Sequence, residues 1–257
     1  MSYFIGVSSF HYCCERKGTD PIGILYLCRS VGLLVEIPIT KGKLRSRMKL
    51  IIATPSPYAR KVRVVLREKD IDCEEIIDIP WNKNTLTKDL NPIGKIPILL
   101  QEGIAPIYDS KVIVQYLEYL KQEPLMYPLD PTDNISARLI ETTFDGVCDA
   151  VVLVFLENSR HENLRSTDWI KRQEKKIYKG IEYMSGDLGN KNYFVGNDFS
   201  IADVCGISCL EYLDLRFSKF NWRRQYPNLE NYWYTHRDRK SFLETKPSIQ
   251  IIEPLNN

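Results

Sequence analysis

No apolar run in this 257-residue chain approaches the roughly 20 residues that a membrane-spanning helix needs. The best stretch, residues 21–39, is broken by Arg29 and Glu36. An excess of charge is lacking too. The 35 Lys and Arg meet 33 Asp and Glu, and a net of +2 gives no push towards nucleic acid. The seven cysteines (Cys13, Cys14, Cys28, Cys73, Cys148, Cys205 and Cys209) are odd in number and form no CxxC pair. They read as reduced thiols of a cytoplasmic protein rather than as a disulfide framework. His11, His161 and His236 lack ligand spacing, so no metal site is expected. Residues 1–47 lack a clean period, and they lack the positive start, apolar core and small-residue cleavage site of a signal peptide. Their seven Lys and Arg against three Asp and Glu leave the rest of the chain slightly acidic.

What is present is an ordinary soluble composition, 44% hydrophobic and 26% charged, with no membrane or nucleic-acid partner implied. The text changes character at Met48. Lys49–Ala53 reads as a short buried strand. Pro57–Lys69 sets Val62, Val65 and Leu66 on one helical face. Glu74–Ile79 reads as a second strand and Thr85–Leu90 as a helical turn. Ile98–Leu100 and Ile104–Tyr108 read as a hairpin about the Glu102-Gly103 turn. Ser110–Leu120 places Ile113, Tyr116, Leu117 and Leu120 on one stripe. Lys121–Pro131, with three prolines, is the linker. Beyond it the pattern is all-helical: Thr132–Glu157 as one long helix or a broken pair, Asp168–Met184, and a buried helix opened by Ser200. Ser200 and Asp203 have the spacing of a capping box, with Phe199 and Val204 at the staple positions, which makes Asp203 a structural residue.

The most informative segment is Asn91–Ser110, NPIGKIPILLQEGIAPIYDS. Pro97 stands just before a strand, where an X–Pro bond can be cis and the backbone of Ile96 can face an extended peptide. Asp109-Ser110 brings a carboxylate to a helix N-terminus. Asn91, Pro92, Lys95, Ile96, Pro97, Asp109 and Ser110 at this spacing resemble the glutathione-binding half of the glutathione S-transferases. The resemblance runs from about Met48 to the C-terminus and includes Ser200-Ile201-Ala202-Asp203. Asp145-Gly146, Asp149-Ala150 and Ser241-Phe242 are similar to a bacterial subgroup.

The resemblance implies an α/β plus all-α architecture: a thioredoxin-like domain over 48–123, followed by a C-terminal helical bundle over 132–257. Met48 then reads as the natural start, with 1–47 an extension. A targeting segment and an ordered packing element are the alternatives. It also implies a cytosolic homodimer that conjugates glutathione, as co-substrate, to a small hydrophobic electrophile in detoxification, with no resident cofactor. A non-enzymatic regulator like the stringent starvation proteins, and a glutathione-dependent peroxidase or disulfide reductase, are the rival readings.

Such an enzyme must turn a thiol of pKa about 8.5 into a thiolate near neutral pH. A hydrogen-bond donor and the positive end of a helix both do this. Thr54–Tyr58 occupies the first strand–helix junction. There Ser56, before Pro57, is the N-cap and, in serine-type family members, the sulfur's partner. Thr54 and Tyr58 are the alternatives. No cysteine lies at 54–58, which disfavours redox chemistry through a protein thiol. The resemblance further implies that Asp109 pairs with the γ-glutamyl ammonium. Ser110 takes the carboxylate, Ile96 before Pro97 pairs with the cysteinyl unit, and Lys83 or Lys95 meets the glycyl carboxylate. The electrophile would lie against Tyr58 and one stripe of the long helix, drawn from Phe144, Cys148, Val151, Val152 and Phe155.

Overall fold

A computed structural model of the chain describes residues 15–16, 25–28, 33–36 and 48–250. Strands β1 (Glu15–Arg16), β2 (Leu25–Cys28) and β3 (Leu33–Glu36) form an antiparallel sheet in that order, where the sequence showed no period. They belong to a unit of their own, Met1–Ser46.

The second unit, Arg47–Asn257, begins with β4 (Met48–Ile52), whose last three residues are buried on both faces. Helix α1 (Pro57–Glu68) crosses over to β5 (Cys73–Ile77), which pairs parallel with β4. After α2 (Thr87–Leu90), strand β6 (Ile98–Leu100) returns antiparallel on the other side of β4, giving the order β5-β4-β6. Helix α3 (Ser110–Leu120) covers the sheet beside α1. The expected hairpin is only partly made. Residues 104–108 contribute a single bridge, Leu99 to Ile107, because Pro106 has no N–H to extend a ladder.

The linker is pinned from beneath. Lys69, fully buried, donates to the carbonyls of Lys121, Gln122 and Pro124 at 2.7–3.1 Å and pairs with Glu118 at 2.8 Å. Asp130 then caps α4 (Pro131–Ser159), one unbroken 29-residue helix. It packs with α5 (Thr167–Leu188) and α6 (Ile201–Arg216) around Phe144, Ile177, Ile181 and Phe194. The capping box at Ser200 and Asp203 is present. Asp203 is fully buried and also accepts from the Phe194 N–H at 3.0 Å and the Tyr232 hydroxyl at 2.7 Å, so it ties three segments of the bundle.

Helices α7 (Trp222–Gln225), α8 (Pro227–His236) and α9 (Lys240–Leu243) close the bundle, and the chain then runs back along α1. Arg239 and Ser241 bind Glu68, Arg67 binds Glu244, and Arg63 donates to the Thr245 carbonyl. Burial raises the Glu68 carboxyl, but Arg239 and Ser241 outweigh it and hold the group below the usual carboxylate range. With a depressed folded value, its contribution is present above about pH 4.5 and is lost as pH falls through the folded value. Glu68→Gln is therefore expected to flatten the loss of stability below about pH 4.5, read as urea midpoints across an acid series. An unchanged acid limb would remove this pair from the account.

Candidate functional site

The C-terminal end of β4 is where the chemistry collects. Ser56 caps α1. Its Oγ accepts from the Ala59 N–H at 3.2 Å, its N–H donates to the Ala53 carbonyl at 3.0 Å, and Pro57 fills the first helical position. Three hydroxyls stand at this junction. The Thr54 hydroxyl donates to the Ser248 carbonyl at 3.0 Å, and the Tyr58 hydroxyl donates to Asp149 Oδ1. Of these three, only the Ser56 hydroxyl has no acceptor for its proton among the described residues. Burial, with Cys148 and Asp149 nearby, pushes the Tyr58 phenol far up, so it stays protonated.

Strand register brings the other residues to the same end. Because β6 runs against β4 with Ile98 opposite Ile51, the start of β6 abuts the end of β4. Extending that register sets Pro97 opposite Ile52 and Ile96 opposite Ala53. Extending the Leu99–Ile107 bridge sets Asp109 opposite Pro97. The Ile96–Pro97 peptide is cis. The preceding loop is knotted by Asn91, which is buried and donates to the Lys95 carbonyl at 2.7 Å while accepting from the Ile93 N–H at 3.1 Å. Sequence reading used Asn91 only as part of the pattern and missed this role.

Asp109 is the N-cap of α3. Its Oδ1 accepts from the Lys111 N–H at 2.9 Å and more loosely from the Ser110 hydroxyl at 3.4 Å. Asp109 is exposed and Ser110 buried, and the described bonds use only Oδ1. Lys83 and Lys95 are both exposed and make no ion pair among the described residues. Lys83 lies in the loop that leaves β5 at this same end. Asp78 anchors that loop, its Oδ2 accepting from both hydroxyls of Thr85 and Thr87 at 2.6 Å and from the Thr87 N–H at 2.9 Å. Only a Thr-x-Thr pair after the second strand hinted at this knot.

The apolar stripe expected to face an electrophile is corrected. Cys148 and Val151 are 3% and 1% exposed, and Phe144 is as deeply buried; all belong to the core rather than to an open wall. Burial, with a hydrogen bond to Cys209, also pushes the Cys148 thiol well up. Tyr58, Val152 and Phe155 remain half-buried, with the Arg216 guanidinium 4.2 Å over the Phe155 ring. The surface of α4 that meets α1 is polar instead. Lys61, 2% exposed, donates to Glu141 at 3.0 Å and to both oxygens of Asp145 at 2.8 Å. Tyr58, one turn earlier on α1, reaches Asp149, one turn later on α4.

Comparison with known proteins identifies the family and the fold. The description "Glutathione S-transferase, N-terminal domain" matches residues 55–120, and "Glutathione S-transferase, C-terminal domain" matches residues 167–232. The uncharacterized GST-like protein YibF of Escherichia coli is 32% identical over 202 residues, 78% of this chain and 98% of its own. The crystal structure of a Methylobacterium radiotolerans glutathione S-transferase in complex with glutathione sulfonate superposes with a TM-score of 0.78. It is 39% identical, over 80% of this chain and 98% of that one. A Methylobacillus flagellatus glutathione S-transferase with glutathione bound gives a TM-score of 0.76 at 38% identity, over 78% of this chain and all of that one.

Proposed function

Because the chain belongs to the glutathione S-transferase family and has its fold, we propose that it binds glutathione at the C-terminal end of β4 and conjugates the thiolate to small hydrophobic electrophiles. The observation that carries this reading is the uncommitted Ser56 hydroxyl at the N-terminus of α1, at the same sheet end as Ile96 and Asp109-Ser110. Ser56 Oγ donates to the sulfur, and the α1 N-terminus adds its positive end. Together they favour thiolate over thiol, and no proton-abstracting base is required. The free thiol proton goes to solvent.

Recognition of the peptide follows from the same frame. Asp109 pairs with the γ-glutamyl ammonium. Ser110 and its N–H take the γ-glutamyl carboxylate at the α3 N-terminus. The N–H and C=O of Ile96, beyond the β4–β6 ladder, pair with the cysteinyl unit. Lys83 or Lys95 meets the glycyl carboxylate. Residues from Met48 onward form the working unit, and it acts as a homodimer in the cytoplasm. Exposed Val112 on α3, with Ile135 and Leu139 one turn apart on α4, supplies apolar surface for a second copy.

Redox chemistry through a protein thiol fits less well. The half-buried Cys73 is pushed up to about 12, chiefly by burial and then by Glu75, and the three bundle thiols Cys148, Cys205 and Cys209 are buried. A scaffold acting only as a regulator would keep Ser56 as a helix cap but need not keep it together with Asp109-Ser110 at the same sheet end.

Asp109→Ala is expected to weaken glutathione binding about tenfold or more, by calorimetry on the full chain. Asp109→Asn keeps an oxygen for the Lys111 N–H and loses only the charge, so it is expected to weaken binding to a similar degree. Unchanged affinity in both variants would assign Asp109 to capping alone.

A further inference from the structure

Helix α4 continues past the site. The pairs Tyr58–Asp149 and Lys61–Asp145 show α1 and α4 running antiparallel along their shared face. Asp149 is level with the first turn of α1, and α4 extends ten residues further, to Ser159. At 1.5 Å per residue that is about 15 Å of helix beyond the α1 N-terminus, on the side where Ser56 stands. The residues following Asp149 on this face, Val152 and Leu156, are half-buried and apolar.

The two acids on this face are not equivalent. Asp145 is neutralised by Lys61 and by Lys111, whose Nζ lies 3.4 Å away. Asp149 is exposed and makes no ion pair among the described residues. Its described partner is the neutral Tyr58 phenol, bound through Oδ1. A phenol that donates to a carboxylate fixes that carboxylate in place and turns its own oxygen into an acceptor. The face of α4 that continues past the α1 N-terminus therefore begins with the Tyr58 and Asp149 oxygens, with the apolar Val152 and Leu156 next along it.

We propose that Asp149, positioned by Tyr58, determines specificity for the second substrate: it selects electrophiles that carry a cationic or strong hydrogen-bond-donor group next to an apolar body, and disfavours those that carry a carboxylate there. The inference rests on the conjugation reading given above. A suitable probe pair is two enones identical except for a trimethylammonium or a carboxylate group. In each, the glutathione sulfur pair forms a bond to the β-carbon. The C=C pair moves to the carbonyl oxygen as enolate, and the α-carbon takes a proton from water.

The test uses the full chain, with glutathione affinity measured calorimetrically on every protein. The parent protein is expected to favour the cationic enone over the anionic one about tenfold or more in kcat/KM. Asp149→Asn is expected to cut that ratio about tenfold, and Asp149→Glu, which keeps the charge, to retain it. A ratio unchanged by Asp149→Asn, or lost equally in Asp149→Glu, would overturn the inference while glutathione binding still stands. A parent protein that binds no glutathione would instead overturn the conjugation reading, and this inference with it.

Discussion

Ser56→Ala is expected to slow glutathione conjugation roughly 10- to 150-fold while leaving glutathione affinity within a few-fold. A hydrogen bond to a charged partner is worth about 1.5–3 kcal/mol, and here the partner is a thiolate whose population the bond raises. Asp109, Ser110 and Ile96 still hold the peptide, so the loss falls on kcat rather than on binding. The fold should tolerate the change at a modest cost, since the variant loses one N-cap acceptor, the bond from the Ala59 N–H, worth about 1 kcal/mol. Thr54 and Tyr58 are the controls. Their hydroxyls are committed to the Ser248 carbonyl and to Asp149. Full activity in Ser56→Ala, with activity abolished in Tyr58→Phe or Thr54→Ala, would move the donor to one of those residues.

The largest effect on stability is expected at Lys61. Its ammonium and the Glu141 carboxylate are 2% and 1% exposed, and Glu141 also accepts from the Tyr127 hydroxyl at 3.0 Å. Burial alone would lower the Lys61 ammonium, but the negative groups around it, Asp145 and Glu141 foremost among the carboxylates, hold it well above its usual value. Lys61 therefore stays charged across the physiological range. Its contribution is fully present below about pH 10.5 and is lost only as pH rises through the folded value. Lys61→Met strands the buried Glu141 carboxylate and leaves the largely buried Asp145 with Lys111 alone. The expected cost is about 3–5 kcal/mol, a fall in melting temperature on the order of 10 °C. Lys61→Met combined with Glu141→Gln should recover part of that loss, because the second change removes the stranded charge. Strict additivity of the two would mean that the pair is not coupled.

The parts of the fold that were legible in the sequence are those fixed by local chemistry. Ser56-Pro57 announced the start of α1, Ser200 with Asp203 announced α6, and the stripe of Ile113, Tyr116, Leu117 and Leu120 gave α3 its full extent. Gly103 marked its turn with φ +86°. What was not legible depends on partners far away in the chain. Arg60, Lys61 and Arg63 lie outside the periodic triplet Val62, Val65 and Leu66, yet all three are buried, because their partners arrive from α4, α6 and the chain after α9. For the same reason the stripe Phe144, Cys148, Val151 on α4 read as a substrate wall. An apolar stripe seeks the largest apolar neighbour, which is α5 and α6. The wall towards the site is the adjoining face that carries Asp145 and Asp149. Their i, i+4 spacing matches Tyr58 and Lys61 at i, i+3, a signal visible only once the two helices are known to run antiparallel.

The central claim is that Ser56 and the α1 N-terminus make bound glutathione a thiolate. The most direct measurement is the pH titration of thiolate absorbance for glutathione bound to the parent protein and to Ser56→Ala. The account predicts an apparent thiol pKa clearly below the free value of about 8.5 in the parent, returning towards it in the variant. A free-like pKa in the parent protein, or an equally depressed one in Ser56→Ala, would contradict it.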